Sequence, residues 1–242
     1  MRNFVLVAFL MVTWTVAAHA ASIWLSDYHG TIGEGEDTQV ISLSMSKDDG
    51  GYEQDCDFSN ISKANLYYKE TAELVPMTVT ERDGRKAVFA TVLQDGALSG
   101  RLEVEFVEKD PKNSYKTDEP LCEDVMVGTW HGSPGKGGVS PPQPVYLRVA
   151  HSLTVQEDGG RCHMSGEEYA KVEQRIKDFQ KAMAAGDAET LQKDFGYAKE
   201  LSDEYRQLVI NDIPHSLFCN NDGVMLGSGV VWFDTEGNVI NP

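Results

Sequence analysis

Two periodicities divide this chain. From residue 22 to about 150, short apolar runs alternate with polar residues at period two and stop at Gly, Asp and Pro signals. That is the pattern of strands with one face on a core and one in water. Gln39-Val40-Ile41-Ser42-Leu43-Ser44-Met45 alternates throughout, and further on Leu102, Val104 and Phe106 interleave with Arg101, Glu103 and Glu105. Asp-Gly steps at 83–84 and 95–96 separate such runs and predict hairpins, because both residues tolerate the backbone angles of a tight turn. Pro76 has no N–H to give a ladder, which places the start of the run 75–80 at an edge. About eight strands follow one another without an intervening helix, so the expected body is a small antiparallel barrel or a strongly bent sheet.

Past the polar stretch 151–161, read as a linker, the apolar spacing changes to three and four. Ser165 followed by Glu168 is a capping-box signature, and Tyr169, Val172, Ile176, Phe179 and Met183 form one apolar helical stripe. Gly186 ends that helix. Asp187 is placed to cap a second helix bearing Leu191 and Phe195. Ser202 is placed to cap a third, with Tyr205, Leu208 and Val209 expected inward and Pro214 stopping it. The apolar run 224–233, the turn Asp234-Thr235-Glu236-Gly237 and then Asn238-Val239-Ile240 predict a terminal hairpin with Gly237 at positive φ. A lone hairpin is unstable in water, so the helix over 166–185 is its expected partner.

The segment Phe179-Gln180-Lys181-Ala182-Met183-Ala184-Ala185-Gly186-Asp187-Ala188 resembles the first-helix signature of NTF2-like (cystatin-like) domains. Gly223-Val224-Met225-Leu226-Gly227-Ser228-Gly229-Val230-Val231-Trp232-Phe233 looks like the terminal strand motif of short exported variants of that fold. The strand-rich half is similar in turn pattern to the small β domains of uncharacterised exported Gram-negative bacterial proteins. These resemblances imply an α+β periplasmic protein with an antiparallel β domain over 21–150 and a truncated NTF2-like domain over 162–242. Too few strands follow Cys162 to complete a curved sheet, so the chemistry of larger relatives does not carry over.

Composition then narrows the function. Arg2, the apolar residues 4–12 and the Ala18-His19-Ala20 ending read as a secretory signal peptide over 1–20, cleaved after Ala20, with no stable membrane insertion afterwards. Its removal takes one Arg and no acid from the chain's 21 Lys and Arg and 38 Asp and Glu, leaving a formal charge of −18. Such a surface repels nucleic acid and anionic lipid and favours a cationic partner. The four cysteines, Cys56, Cys122, Cys162 and Cys219, are expected as two disulfides paired within each half. They lack zinc or redox spacing, and neither metal nor cofactor is expected.

Four residues are candidate ligand-binding groups. His29 and His131 each follow an aromatic residue and run into a Gly-rich turn, and on neighbouring strands they would share one rim. His215, beside Pro214, and Tyr205 would line a cone mouth. His163 near Glu167 and Glu168 is weighed as a metal site, and acids there also simply complement the helix dipole. The Gly-rich loop 132–138 lacks the Gly-Lys-Ser/Thr ending and following helix of a phosphate loop. Ser228 between glycines lacks the context of a nucleophile elbow, and no catalytic residue is assigned. The expected function is a non-catalytic exported binding protein whose acidic surface recognises a protein such as a cell-wall hydrolase or toxin. The alternatives are a small-molecule-binding protein or enzyme using the cone pocket, and an envelope scaffolding or assembly factor with a large exposed apolar patch.

Overall fold

The alternating first half folds into eight strands: β1 (Ile23–Ile32), β2 (Gln39–Lys47), β3 (Ile61–Tyr68), β4 (Glu73–Asp83), β5 (Lys86–Val92), β6 (Leu98–Phe106), β7 (Val125–Gly132) and β8 (Gln143–Val155). In the computed structural model these pair antiparallel in chain order, and β8 closes on β1 as a barrel. The structure describes residues 23–47, 58–92, 98–112, 124–132, 141–155 and 161–240. The leader, Cys56, Cys122, the 95–96 turn and the loop from 133 onward lie outside them. Tyr28, Leu43, Met45, Leu66, Phe89, Leu102, Phe106 and Leu147 point inward and are buried, and Phe58 stacks on Phe106 with ring centroids 4.3 Å apart. The interior is thus filled by side chains. Pro76 stands opposite Asn65 of β3, before the pairing of β4 with β5 begins at Thr78, so its missing N–H falls where the ladder is open.

Three helices follow: α1 (Gly166–Ala185), α2 (Ala188–Phe195) and α3 (Asp203–Asn211). Ser165 and Glu168 form the capping box, Gly186 takes the left-handed conformation, and Asp187 and Ser202 cap α2 and α3 as their positions predict. The α1 stripe builds a second core around Phe179, whose ring meets Phe195, Tyr197 and Phe233 edge-on at 5.2–5.3 Å. A sheet of β9 (Cys219–Asn220), β10 (Gly223–Leu226) and β11 (Val231–Phe233) covers the other side. The disulfide Cys162–Cys219 ties the start of this body to β9.

Three details depart from the sequence reading. The run 224–233 is itself the hairpin, turned at Gly227, Ser228 and Gly229, all at positive φ. The Asp234–Gly237 turn comes afterwards and leads only to a bridge between Phe233 and Val239. Tyr205 (52 % exposed) and Leu208 (41 %) face outward, and Val209 alone of the three is buried. Finally, β8 continues through His151 to Val155, inside the stretch read as linker.

Candidate functional site

The outward faces of β1, β2 and β3 form a lattice of three rows. Cross-strand register aligns Leu25, Ser46 and Lys63 in one row, Asp27, Ser44 and Asn65 in the next, and His29, Ser42 and Tyr67 in the third. A wet barrel face would be expected to carry long charged side chains. Here Ser42, Ser44 and Ser46 are buried, because the helical body lies on them.

Asp27 is the centre of that contact. It is fully buried and accepts from Arg161 Nη1 at 2.6 Å and Nη2 at 3.0 Å, and from the Ser44 hydroxyl. His151 Nε2 stands 3.0 Å from the same carboxylate, too poorly aligned for a good hydrogen bond. A bulge supplies this histidine: the register slips between Asp27 and Tyr28, leaving Ala150 unmatched and His151 opposite Asp27. Burial alone would push the Asp27 carboxyl up. The Arg161 guanidinium and the hydrogen bonds overcome it and hold the group well below the usual carboxylate range.

The third row is held from above. His29 Nε2 and the Ser216 hydroxyl share a 2.7 Å hydrogen bond, and His215 stacks on Tyr67 with centroids 4.8 Å apart. His215 Nδ1 also meets Glu173 at 3.1 Å, and Glu173 pairs with Lys177. Lys69 Nζ donates to the Ile210 carbonyl at 3.0 Å. Burial lowers the His29 pKa, partly opposed by the charges of Asp27 and Asp212.

A hollow of about 490 Å³ flanks the clamp on each side. The β8-side hollow is lined by His29, His151, Asp212 and Ser216. Most of its buried polar side chains are already engaged: Ser216 bonds His29, Asp212 accepts from the N–H groups of Ile213 and Gly227, and His151 stands against Asp27. Ser216 is fully buried, so its hydroxyl is not presented to a substrate. The β3-side cleft is lined by Ile23, Leu25, Lys63, Asn65, Leu74 and Tyr169 among others. A third hollow, about 640 Å³, lies on the β4–β7 wall, where Arg101 pairs with Glu81 and Glu103, and Lys86 with Glu105.

Of the sequence candidates, His29 lies at the clamp and His131 does not join it. β8 separates their strands, and His131 Nε2 contacts Glu103 at 3.2 Å. The histidine beside His29 is His151, edge-on with ring centroids 6.1 Å apart. His215 is packed against Tyr67, while Tyr205 points to solvent on α3, so these two do not converge on a mouth. His163 is exposed, and no group of three metal-ligating side chains occurs among the described residues. Asp27, His151 and Arg161 escaped sequence reasoning. The available signal was the row of small serines on β2, too short for a solvent face. Comparison with protein-family models, curated proteins and solved structures found no match to this chain.

Proposed function

We propose that this chain is an exported, non-catalytic binding protein that recognises a cationic protein, such as a cell-wall hydrolase or a toxin, through an acidic rim at one end of the barrel. One observation carries the proposal. Glu34, Glu36 and Asp37 are exposed on the β1–β2 turn, and Glu70 and Glu73 on the β3–β4 turn. The turns are neighbours, since the Val40 N–H donates to Glu70 and the Lys69 N–H to the Val40 carbonyl. On the β4–β7 wall Glu81, Glu103 and Glu105 each meet a cation, but none of these five acids has an ion-pair partner among the described residues. Negative charge left unmatched at one rim raises the local potential and steers a basic partner to it.

Export and the domain type belong to the same proposal. The leader composition supports secretion, and the Cys162–Cys219 bridge suits an oxidising compartment. Among the described residues no helix is long and apolar enough to cross a membrane. A truncated NTF2-like reading of residues 162–242 is supported by α1 lying against a short three-stranded sheet.

Calorimetric titration with a basic lysozyme as the cationic probe tests the rim. Binding at low salt is expected to weaken steeply as ionic strength rises. The combined variant Glu34→Gln, Glu36→Gln, Asp37→Asn is expected to bind about tenfold or more weakly. Equal affinity of the variant and the parent chain would sink the proposal, as would absence of binding to the parent chain.

A further inference from the structure

We propose that the β3-side cleft binds a small amphipathic anion: a carboxylate on a short hydrocarbon chain, with its head on Lys63 and Asn65 and its chain over Leu74. This site is separate from the acidic rim and does not depend on it. A cleft of about 490 Å³ between two packed bodies falls within the range of small-ligand sites, about 300–1,000 Å³. What distinguishes it from the β8-side hollow is the state of its polar groups.

Lys63 and Asn65 alternate on the outer face of β3, roughly 7 Å apart along the strand. Among the described residues neither side chain has a hydrogen-bond or ion-pair partner. The other charges lining the cleft are cancelled locally: Arg161 by Asp27, and Glu173 by Lys177. Lys63 is therefore the uncompensated charge there, and it is positive in a chain of formal charge −17. Beside it the floor is apolar. Exposed Pro76 faces Asn65 across the β3–β4 pair, and Leu74, 45 % exposed, is the next residue of β4 on that face. An ammonium donor and an amide beside bare aliphatic surface match a head that accepts hydrogen bonds and a tail that sheds water. Sugars and free phosphate satisfy only half of that surface.

The full secreted-form chain, isotope-labelled, is titrated with sodium octanoate, octylammonium and inorganic phosphate while the Asn65 side-chain amide is followed by NMR. Octanoate is expected to saturate and to move that amide, octylammonium to leave it in place, and phosphate to bind at least tenfold more weakly. Lys63→Met keeps the stem of an exposed side chain, so its fold is expected to persist. It should weaken octanoate about tenfold, the order of one charge-assisted hydrogen bond. Leu74→Ser should weaken octanoate and leave phosphate unchanged. Octanoate and octylammonium binding alike, an unaffected Lys63→Met, or no saturation by octanoate would each overturn the assignment. None of these outcomes touches lysozyme binding at the rim.

Discussion

Asp27 and Arg161, 134 residues apart in the chain, meet in a two-point ion pair with neither side chain more than 5 % exposed. It joins the wall of the barrel to the residues that lead into α1. The barrel core and the helical core are separate clusters, and this ion pair is one of the polar contacts that span the seam between them. A buried pair of this kind is weak evidence of net stability, since removing both charges from water is expensive, but losing one partner strands the other.

Arg161→Met is therefore expected to cost about 3–5 kcal/mol, measured by urea unfolding. The double variant Asp27→Leu, Arg161→Met should recover much of that loss because no charge is left buried. Costs that simply add would show that the two side chains are not coupled. The Asp27 pKa is depressed in the folded chain, so its contribution is complete above the ordinary carboxylate value, 3.8, and is lost only as pH falls through the lower folded value. Between pH 5 and 8 the pair should be indifferent to pH.

His29 should add a pH dependence of the same sign inside that window. Its pKa is lowered by burial, against the pull of Asp27 and Asp212 and with the push of His151, so the unfolded chain takes up a proton before the folded one does. The resulting destabilisation begins as pH falls below about the ordinary 6.5 and grows until the folded value is reached. Thermal unfolding followed from pH 7.5 to 5 should show a falling midpoint, and His29→Gln should flatten that slope. An unchanged slope in the variant would assign the effect to other groups.

The Cys162–Cys219 bridge closes a sequence separation of 57 residues. In the chain-entropy account a loop of that length is worth about 4 kcal/mol through restriction of the unfolded state. The variant Cys162→Ser, Cys219→Ser should lose stability on that order in denaturant titration. A loss below about 1 kcal/mol would mean that the clamp, rather than the bridge, holds the body closed.

Local signals in the chain were legible and long-range ones were not. Ser165, Asp187, Ser202 and Gly186 act within one helical turn, so they mark their helices wherever these dock. The barrel strands show their period in Ile41, Leu43 and Met45 because one face must be dry. The inward side of α3 is not legible in its sequence because a nine-residue helix offers barely two turns of pattern, and docking against the second core selects Val209 over Tyr205 and Leu208. The terminal hairpin turns where Gly227, Ser228 and Gly229 take three successive positive φ angles, a turn that the apolar residues on either side conceal. Asp27 carries no local mark of its role: its partner, and the bulge that delivers His151, are set by closure of the barrel and docking of a body far along the chain.

The end of α3 shows the same dependence on tertiary structure and gives the last prediction. A helix leaves its final carbonyls without internal donors, and many helices end in a left-handed residue that redirects backbone N–H groups to them. α3 has no such ending, because Asp212 is extended at φ −65° and ψ 157°. The buried amide of Gln180, on α1, takes that part and donates to the Val209 carbonyl at 2.7 Å and the Asp212 carbonyl at 3.1 Å. Gln180→Met preserves length and burial but supplies no donor, so both carbonyls lose their bond in a place water reaches poorly. The expected cost is about 1–3 kcal/mol. It should appear as faster hydrogen exchange in residues 206–211 while the amides of α1 keep their protection, since the apolar stripe beneath α1 is untouched. Equal loss of protection in both helices would instead mean that the amide is a general packing element of the second core, and that α3 is held by Val209 alone.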